Sequence, residues 1–209
     1  MTCAMLIFTA HALAFVAVPK TGTTALEQAL KPHADLILRK QHKHATAMRF
    51  HRKIRPFLKD TFKVDTQVFA VMREPEDQIR SWYKYRCRPE IIDQPEYAGE
   101  MSFDAFVEAV ISDTPPPCAQ IGSQYSMLMG RGGRLLIDHL FAYEAWPKIE
   151  RFLSDRLGRR IACAHSNVSP KAPAPLDPGL RDRLRKHREA EFALYARLEV
   201  ADGYLQSKA

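Results

Sequence analysis

A short loop between Pro19 and Thr24, with the sequence PKTGTT, combines residue types that bind anions. Lys20 carries a positive charge, and Gly22 lets the backbone approach a ligand closely. Three hydroxyl groups complete the set, those of Thr21, Thr23 and Thr24. The apolar run Leu13 to Val18 is typical of a buried parallel strand, and a helical apolar pattern follows the loop. Backbone N–H groups and the positive end of a helix dipole meet at such a junction, so the stretch predicts an anion site.

The order of these residues differs from the phosphate-binding loop of the P-loop NTPases. That loop reads GxxxxGK[ST], with the Lys directly after the last Gly and a hydroxyl beside it for magnesium. Here Lys20 precedes Gly22, and no glycine lies upstream of them. The displaced Lys weighs against an ATP–magnesium site, and an ordinary strand-to-helix turn with an exposed Lys is the alternative interpretation of the loop.

A second candidate pair lies in the segment VMREPEDQIRSWYKYR. Arg73 directly follows the apolar run Gln67 to Met72, a position where α/β folds place ligand contacts. Ser81 lies eight residues later, about two helical turns along the next predicted helix. Taken alone, the Arg fits an ion pair with Glu74 or Glu76 equally well.

Strand and helix patterns alternate along the chain and would position these residues. Strands are predicted at Leu13 to Val18, Leu36 to Leu38, Gln67 to Met72 and within Leu135 to Tyr143. Helices are predicted after the loop with a Thr23 or Thr24 cap, at His44 to Lys59 with a break or kink at Pro56, at Glu76 to Arg86, Ser102 to Ile111 and Ala145 to Leu157, and as one long helix after Asp177. The alternation predicts a three-layer α/β fold with a central, mainly parallel sheet flanked by helices.

Composition limits the classes of protein to consider. With 209 residues, 46% of them hydrophobic, the chain is expected to form a single domain over residues 1–209. Its formal charge of +7 indicates an anionic partner, and nucleotides, nucleic acids and acidic glycans all fit that charge. The chain lacks a recognised nucleic-acid-binding motif, so no nucleic-acid partner is expected.

The cysteines and the first residues bear on the cellular setting. Four dispersed cysteines, without a CxxC pair, predict neither a zinc site nor a disulfide framework, which favours a reduced, cytoplasmic setting. The apolar run Ala4 to Val18 has no basic segment before it, is interrupted by His11 and leads directly into the loop, so we do not expect a cleaved signal peptide. It is too short and too mixed to span a membrane, and no stable membrane insertion is expected.

Together, the loop and the Arg–Ser pair resemble the sulfotransferases that use 3′-phosphoadenosine 5′-phosphosulfate (PAPS), especially the branch of carbohydrate sulfotransferases and their bacterial relatives. The first motif is that family's PKxGTT loop, here Pro19 to Thr24, and the second is its Arg and Ser at eight-residue spacing, here Arg73 and Ser81. The segment LFAYEAWPKIERFLSDRLG also resembles the family's strand that ends in a Tyr-Glu pair and precedes a helix. The resemblance covers most of Phe15 to Gly158 and implies a topology like that of the P-loop NTPases.

The resemblance also implies roles for these residues. Lys20, Thr21, Gly22, Thr23 and Thr24 would hold the 5′-phosphosulfate of PAPS, and Arg73 with Ser81 would hold the 3′-phosphate. Lys20 would in addition neutralise charge on the bridging oxygen. The enzyme would transfer a sulfuryl group to a hydroxyl or amine of a small-molecule or carbohydrate acceptor, without a metal.

An acceptor hydroxyl must lose a proton, and His is the side chain best matched to that task near neutral pH. The basic stretch RKQHKHATAMRFHRK contains His42, His44 and His51. The family often carries its catalytic His or Glu in this interval, and KHATA resembles its bacterial members, so the resemblance favours His44 as the base. We expect His51 to pack at the surface or in the core. The surrounding cations fit either a solvated helix face or an acceptor site for an anionic glycan.

The chain departs from the family in two places. Many cytosolic members have Trp after the TT of the loop, where this chain has Ala25, and they carry a late glycine-rich phosphate contact. The segment GRGGR, Gly130 to Arg134, has that composition but precedes the Tyr-Glu element, and Ser169 and Lys171 are the remaining candidates for late contacts. Two rival functions stay open at this stage: an ATP-dependent phosphotransferase of the nucleotide-kinase kind, and a non-catalytic basic module that binds nucleic acid or anionic glycan.

Overall fold

The structure is a computed structural model, and it describes residues 4–39, 45–164 and 175–207. Six strands form one mixed sheet in the order β3-β1-β2-β4-β5-β6. They are β1 Met5–Phe8, β2 Leu13–Val16, β3 Leu36–Leu38, β4 Gln67–Met72, β5 His139–Ala142 and β6 Tyr204–Gln206. The three central strands β2, β4 and β5 are parallel, whereas the other pairings are antiparallel. The α/β class is confirmed, with the parallel pairing confined to the centre of the sheet.

The helices of the described residues agree with most of the predicted ones. They are α1 Thr23–Leu30, α2 Ala47–Arg49, α3 Arg55–Phe62, α4 Pro75–Arg86, α5 Phe103–Val110, α6 Gln124–Leu128, α7 Trp146–Leu157, α8 Pro178–His187 and α9 Glu189–Val200. The single long C-terminal helix was wrong, because the chain breaks at Arg188 between α8 and α9. A π-helical segment, Phe50–Ile54, joins α2 to α3. Pro56 has no N–H to donate to the preceding turn, which explains the predicted irregularity.

The apolar run from Ala4 to Val18 forms two strands where the sequence predicted one. The chain reverses through the short helix Thr9–His11 and through Ala12, which has a left-handed φ of 48°. The Asp35 carboxylate accepts hydrogen bonds from the backbone N–H and the hydroxyl of Thr9, at 2.6 and 2.8 Å. The resulting hairpin adds an antiparallel edge to the sheet, which is why the sheet is mixed.

Alternate residues of the strands divide between two buried clusters, one on each face of the sheet. Val16, Ala70 and Ala142 contribute to the face covered by α2, α3 and α9. Phe15, Phe69 and Phe141 contribute to the face covered by α1 and α7. This alternation confirms the three-layer arrangement, since helices must cover each face of the sheet to bury its apolar side chains. No helix within the described ranges has the length and apolar character needed to cross a membrane.

Parallel pairing of β2 with β4 positions the two sequence motifs. Phe15 aligns with Phe69 and Val16 with Ala70, so both strands end at the same edge of the sheet. The PKTGTT loop follows β2, and Arg73 follows β4 directly. The carboxyl edge of the central parallel strands therefore carries both motifs, as expected for ligand sites of α/β sheets.

Candidate functional site

The PKTGTT loop has a backbone conformation that depends on its glycine. Gly22 is the N-cap of α1 with a φ of 75°, and Lys20 is also left-handed with a φ of 67°. A Cβ atom added at Gly22 would lie 2.6 Å from Trp146 Cζ2 and 3.0 Å from Tyr143 Cε2. The predicted Thr23 or Thr24 cap was wrong, because both residues already lie inside the first turn of α1. The N-terminus of α1 therefore begins inside the loop, directly after Gly22.

Thr21 stabilises the loop from inside. The side chain is fully buried, and its hydroxyl donates a hydrogen bond of 2.8 Å to the carbonyl of Val18. Because this bond occupies the hydroxyl hydrogen, a ligand contact by Thr21 in this conformation would use its backbone N–H. Thr21 differs in this respect from the role of hydroxyl donor that the sequence suggested.

One face of α4 lies against the loop. Gln78 donates a hydrogen bond from Nε2 to the carbonyl of Pro19, at 3.0 Å. The Nζ atom of Lys20 lies 4.5 Å from the ring centroid of Tyr85 and 5.6 Å from that of Trp82. Ser81 is buried on this helix, about one turn from Gln78 and from Tyr85. The packing thus brings Ser81 into the same region as Lys20, and it gives Lys20 cation–π contacts on one side.

Arg73 is fixed by its backbone and by an aromatic ring. Its N–H donates to Gln124 Oε1 and its carbonyl accepts from Gln124 Nε2, both at 2.9 Å. Gln124 is fully buried and contacts the carboxylate of Glu191. The Arg73 guanidinium carbon lies 4.6 Å from the ring centroid of Tyr143, the residue that also limits the space beside Gly22. Tyr143 therefore links the second motif to the first.

Unsatisfied polar atoms concentrate in this region. In the part of the chain that the structure describes, five buried side-chain nitrogen or oxygen atoms lack a hydrogen-bond partner. Arg73 Nε is one of them, and three more belong to α4: Gln78 Oε1, Trp82 Nε1 and Arg86 Nε. Leaving one such group unpaired costs about 1–3 kcal/mol, so buried polar groups are rarely left without partners. Four of the five atoms thus lie on Arg73 and α4, the elements that carry the second motif.

Two carboxylates next to this region already have partners. Glu144 accepts a hydrogen bond of 2.7 Å from the hydroxyl of Tyr195. Burial is the main cause that raises the pKa of Tyr195, and this hydrogen bond adds to it. Glu74 is the N-cap of α4 and accepts from the N–H of Asp77 at 2.7 Å. Burial raises the pKa of Glu74, although the bond from Asp77 acts in the opposite direction. Within the described ranges, neither carboxylate forms an ion pair with Arg73.

Several predicted residues lie elsewhere. His44, the proposed base, and the late contacts Ser169 and Lys171 lie outside the described residues. His51 is half-buried and its Nε2 atom lies 2.9 Å from the carbonyl of Leu136, which agrees with a packing role. No group of three metal-ligating side chains is present among the residues with described positions.

Sequence reasoning missed three residues that shape the site: Tyr143, Gln78 and Gln124. The Tyr-Glu pair in the segment LFAYEAWPKIERFLSDRLG pointed to Tyr143, but the sequence analysis gave this tyrosine no role in the site. No local pattern marks Gln78 or Gln124, because their partners lie 59 and 51 residues away in the chain. The rings of Trp82 and Tyr85, which had no role in the sequence analysis, also lie near Lys20.

A comparison of the chain with models of known protein families gives no match, and a search of curated proteins gives no significant match.

Proposed function

We propose that this chain is a PAPS-dependent sulfotransferase that transfers a sulfuryl group to a hydroxyl or amine of an acceptor, with a carbohydrate as the favoured class of acceptor. The observation that supports this proposal best is the position of Lys20, Arg73 and Ser81 at one edge of the sheet, next to buried polar atoms that have no described partner. The resemblance of the two motifs to that family adds the identity of the ligand.

The loop suits the 5′-phosphosulfate end of PAPS. Gly22 and the first turn of α1 would present backbone N–H groups to its oxygens, and the helix dipole has its positive end there. A side chain at position 22 would meet the rings of Trp146 and Tyr143, so this backbone position is restricted to glycine. Lys20 would lie next to the bridging oxygen, with Tyr85 supporting its ammonium group from the other side.

Arg73 and Ser81 suit the 3′-phosphate. The guanidinium of Arg73 offers a forked set of donors, and its buried Nε lacks a described partner. The buried hydroxyl of Ser81 would supply a further hydrogen bond. A site for a 3′-phosphate distinguishes PAPS from ATP, and this is the main difference from a nucleotide kinase.

In the proposed reaction, the acceptor oxygen or nitrogen attacks sulfur in line with the bridging S–O bond. The new bond to sulfur forms as the bridging bond breaks, and 3′,5′-adenosine bisphosphate leaves with the bonding pair on its phosphate oxygen. The acceptor proton passes to a base, the role proposed for His44. Most of the rate enhancement would come from positioning and from stabilisation of negative charge by Lys20 and the α1 N-terminus.

Calorimetric titration with 3′,5′-adenosine bisphosphate tests the proposal. We expect saturable binding by the wild type, and a loss of affinity of about tenfold or more in Lys20→Ala and in Arg73→Ala, since each removes charge-assisted hydrogen bonds. Arg160→Ala is the control, because Arg160 is exposed beyond the end of α7. Absence of saturable binding by the wild type, or equal affinity for ADP without a 3′-phosphate, would overturn the proposal.

A further inference from the structure

A second group of cations surrounds a cavity in another part of the molecule. The cavity has a volume of about 330 Å³, and we call it the basic pocket; its walls are formed by Met48, His51, Arg55, Gly130, Arg131, Arg134 and Leu136. Leu136 precedes the amino end of β5, whereas Lys20 and Arg73 follow the carboxyl ends of β2 and β4. The basic pocket is therefore separate from the PKTGTT loop.

One wall of the basic pocket is the GRGGR segment, whose composition the proposed function does not use. Met129 pairs with Leu135, and the N–H of Gly130 donates to the carbonyl of Arg134 at 2.7 Å. Gly132 and Gly133 have left-handed φ values of 68° and 72°, which close a tight reversal of the chain. The reversal brings Arg131 and Arg134 to the same cavity.

The opposite wall comes from the π-helical segment and α3. His51 Nε2 lies 2.9 Å from the Leu136 carbonyl, and Arg55 Nη1 lies 3.1 Å from His51 Nδ1. Because Arg is always a donor, His51 accepts at Nδ1 and donates from Nε2 to Leu136, which defines a neutral imidazole. Arg55 is also held by Asp65, at 3.0 Å from its Nε. This wall is therefore held in place without a ligand.

The balance of charge points to an anion. The residues that line the basic pocket include three arginines and no carboxylate. Within the described ranges, Arg55 has its ion pair with the exposed Asp65, and no ion pair is formed by Arg131 or Arg134. Guanidinium groups that face one cavity repel each other, and a bound anion would remove that cost.

We infer that the basic pocket binds a tetrahedral oxyanion, the phosphate or sulfate group of a small monoester. Arginine recognises such groups through paired N–H donors. The hydrogen bond from Arg55 to the neutral His51 helps to hold the Arg55 guanidinium at the wall of the basic pocket. The cavity volume exceeds that of the oxyanion alone, so part of the organic moiety would also enter. The inference does not depend on the proposed transferase activity, because it concerns a different edge of the sheet.

Titration of the full ¹⁵N-labelled chain with inorganic phosphate, and separately with inorganic sulfate, tests this inference at low ionic strength. We expect saturable shifts of the backbone amide signals of Gly132 and Gly133, with one binding curve for both. In the double variant Arg131→Gln/Arg134→Gln, the affinity at this site is expected to fall about tenfold or more. Shifts confined to Gly22 and its neighbours would overturn the inference, since they would place the anion at the PKTGTT loop only.

A matched double variant separates a specific site from general attraction by net charge. Arg151→Gln/Arg160→Gln also removes two positive charges, but from α7 and the segment after it. This helix packs against the other face of the sheet. We expect the affinity of this variant at Gly132 and Gly133 to stay within about twofold of the wild type, as screening predicts for distant charges. An equal loss in both double variants would show that net charge alone attracts the anion, and the inference would be wrong. Binding by phosphate but not sulfate, or the reverse, would support the site and identify its preferred oxyanion.

Discussion

The PKTGTT loop and the basic pocket both gather positive charge, but they hold it in different ways. Lys20 and Arg73 lie near the rings of Tyr85 and Tyr143, and buried polar atoms without described partners occur on Arg73 and on α4. Arg131 and Arg134, in contrast, are exposed and extend from a glycine turn. The loop is therefore shaped before a ligand arrives, since Thr21 and Gln78 bind its backbone and Gly22 has no room for a side chain.

This difference suggests that the two regions suit different ligands. A rigid, partly aromatic surround fits an extended ligand with several anionic groups at fixed distances, as in a nucleotide. An open turn with two arginines, and Arg55 beside it, fits a ligand with one oxyanion held by guanidinium hydrogen bonds. Charge by itself does not distinguish the two sites, and the backbone and aromatic contacts do.

Glycine substitutions should give the largest difference in stability between the two regions. Gly22→Ala places a Cβ 2.6 Å from Trp146 and forces a left-handed alanine, so we expect a loss of about 2–4 kcal/mol in the free energy of unfolding. Gly132→Ala in the basic pocket has the same sign of φ, but its added Cβ meets nothing within 4 Å. Only the backbone strain of about 1–2 kcal/mol is expected there.

Urea unfolding of the two variants and the wild type measures this difference. The slope of the transition should stay the same, since the surface exposed on unfolding does not change. Equal losses at Gly22 and Gly132 would show that the loop is not confined by Trp146 and Tyr143, and the contrast between a rigid and an open region would fail.

Thr21→Val tests how much the internal hydrogen bond contributes to the rigidity of the loop. The substitution keeps a similar shape but removes the donor to the Val18 carbonyl, so we expect a loss of about 1 kcal/mol, measured by urea unfolding. Ser112→Ala is the control, because Ser112 makes the same contact to a residue three positions earlier, the carbonyl of Ala109, but is exposed. The control should change stability by less than about 0.5 kcal/mol. A similar, large loss in both variants would contradict the proposed effect of burial.

The local parts of the site could be predicted from sequence, and the long-range parts could not. Lys20, Gly22, Arg73 and Ser81 belong to short motifs tied to strand ends and helix starts, and the resemblance of both motifs to one family predicted that they lie together. Tyr143 reaches the loop only because β4 and β5 pair in parallel, which no local pattern specifies.

The fold shows the same limit. The central strand Gln67–Met72 was predicted with its observed bounds because a continuous apolar run is a strong signal. The hairpin of β1 and β2 was missed, since its reversal at Ala12 uses a left-handed alanine, a residue without turn preference. β6 was missed because three residues at the chain's end carry no periodic pattern.

The smallest expected effect is on the pKa of His51, which reports whether an anion is bound in the basic pocket. Burial lowers the pKa of His51, with Arg55 and Arg134 acting in the same direction, whereas the Leu136 carbonyl and Asp138 oppose them. A His with a lowered pKa in the folded state contributes stability above its unfolded pKa of about 6.5, and that stability is lost as the pH falls below this value. His51→Gln should therefore reduce the fall in unfolding free energy below pH 6.5.

A phosphate in the basic pocket would neutralise part of the arginine charge and favour the protonated imidazole. We therefore expect inorganic phosphate to raise the pKa of His51, followed by the NMR signal of its Hε1 proton. His139 is the internal control, because burial also lowers its pKa and its ring contacts Tyr204 and Gln67, away from the basic pocket. If phosphate shifted the two histidines equally, the effect would reflect ionic strength, and the oxyanion would have no preferred place beside His51.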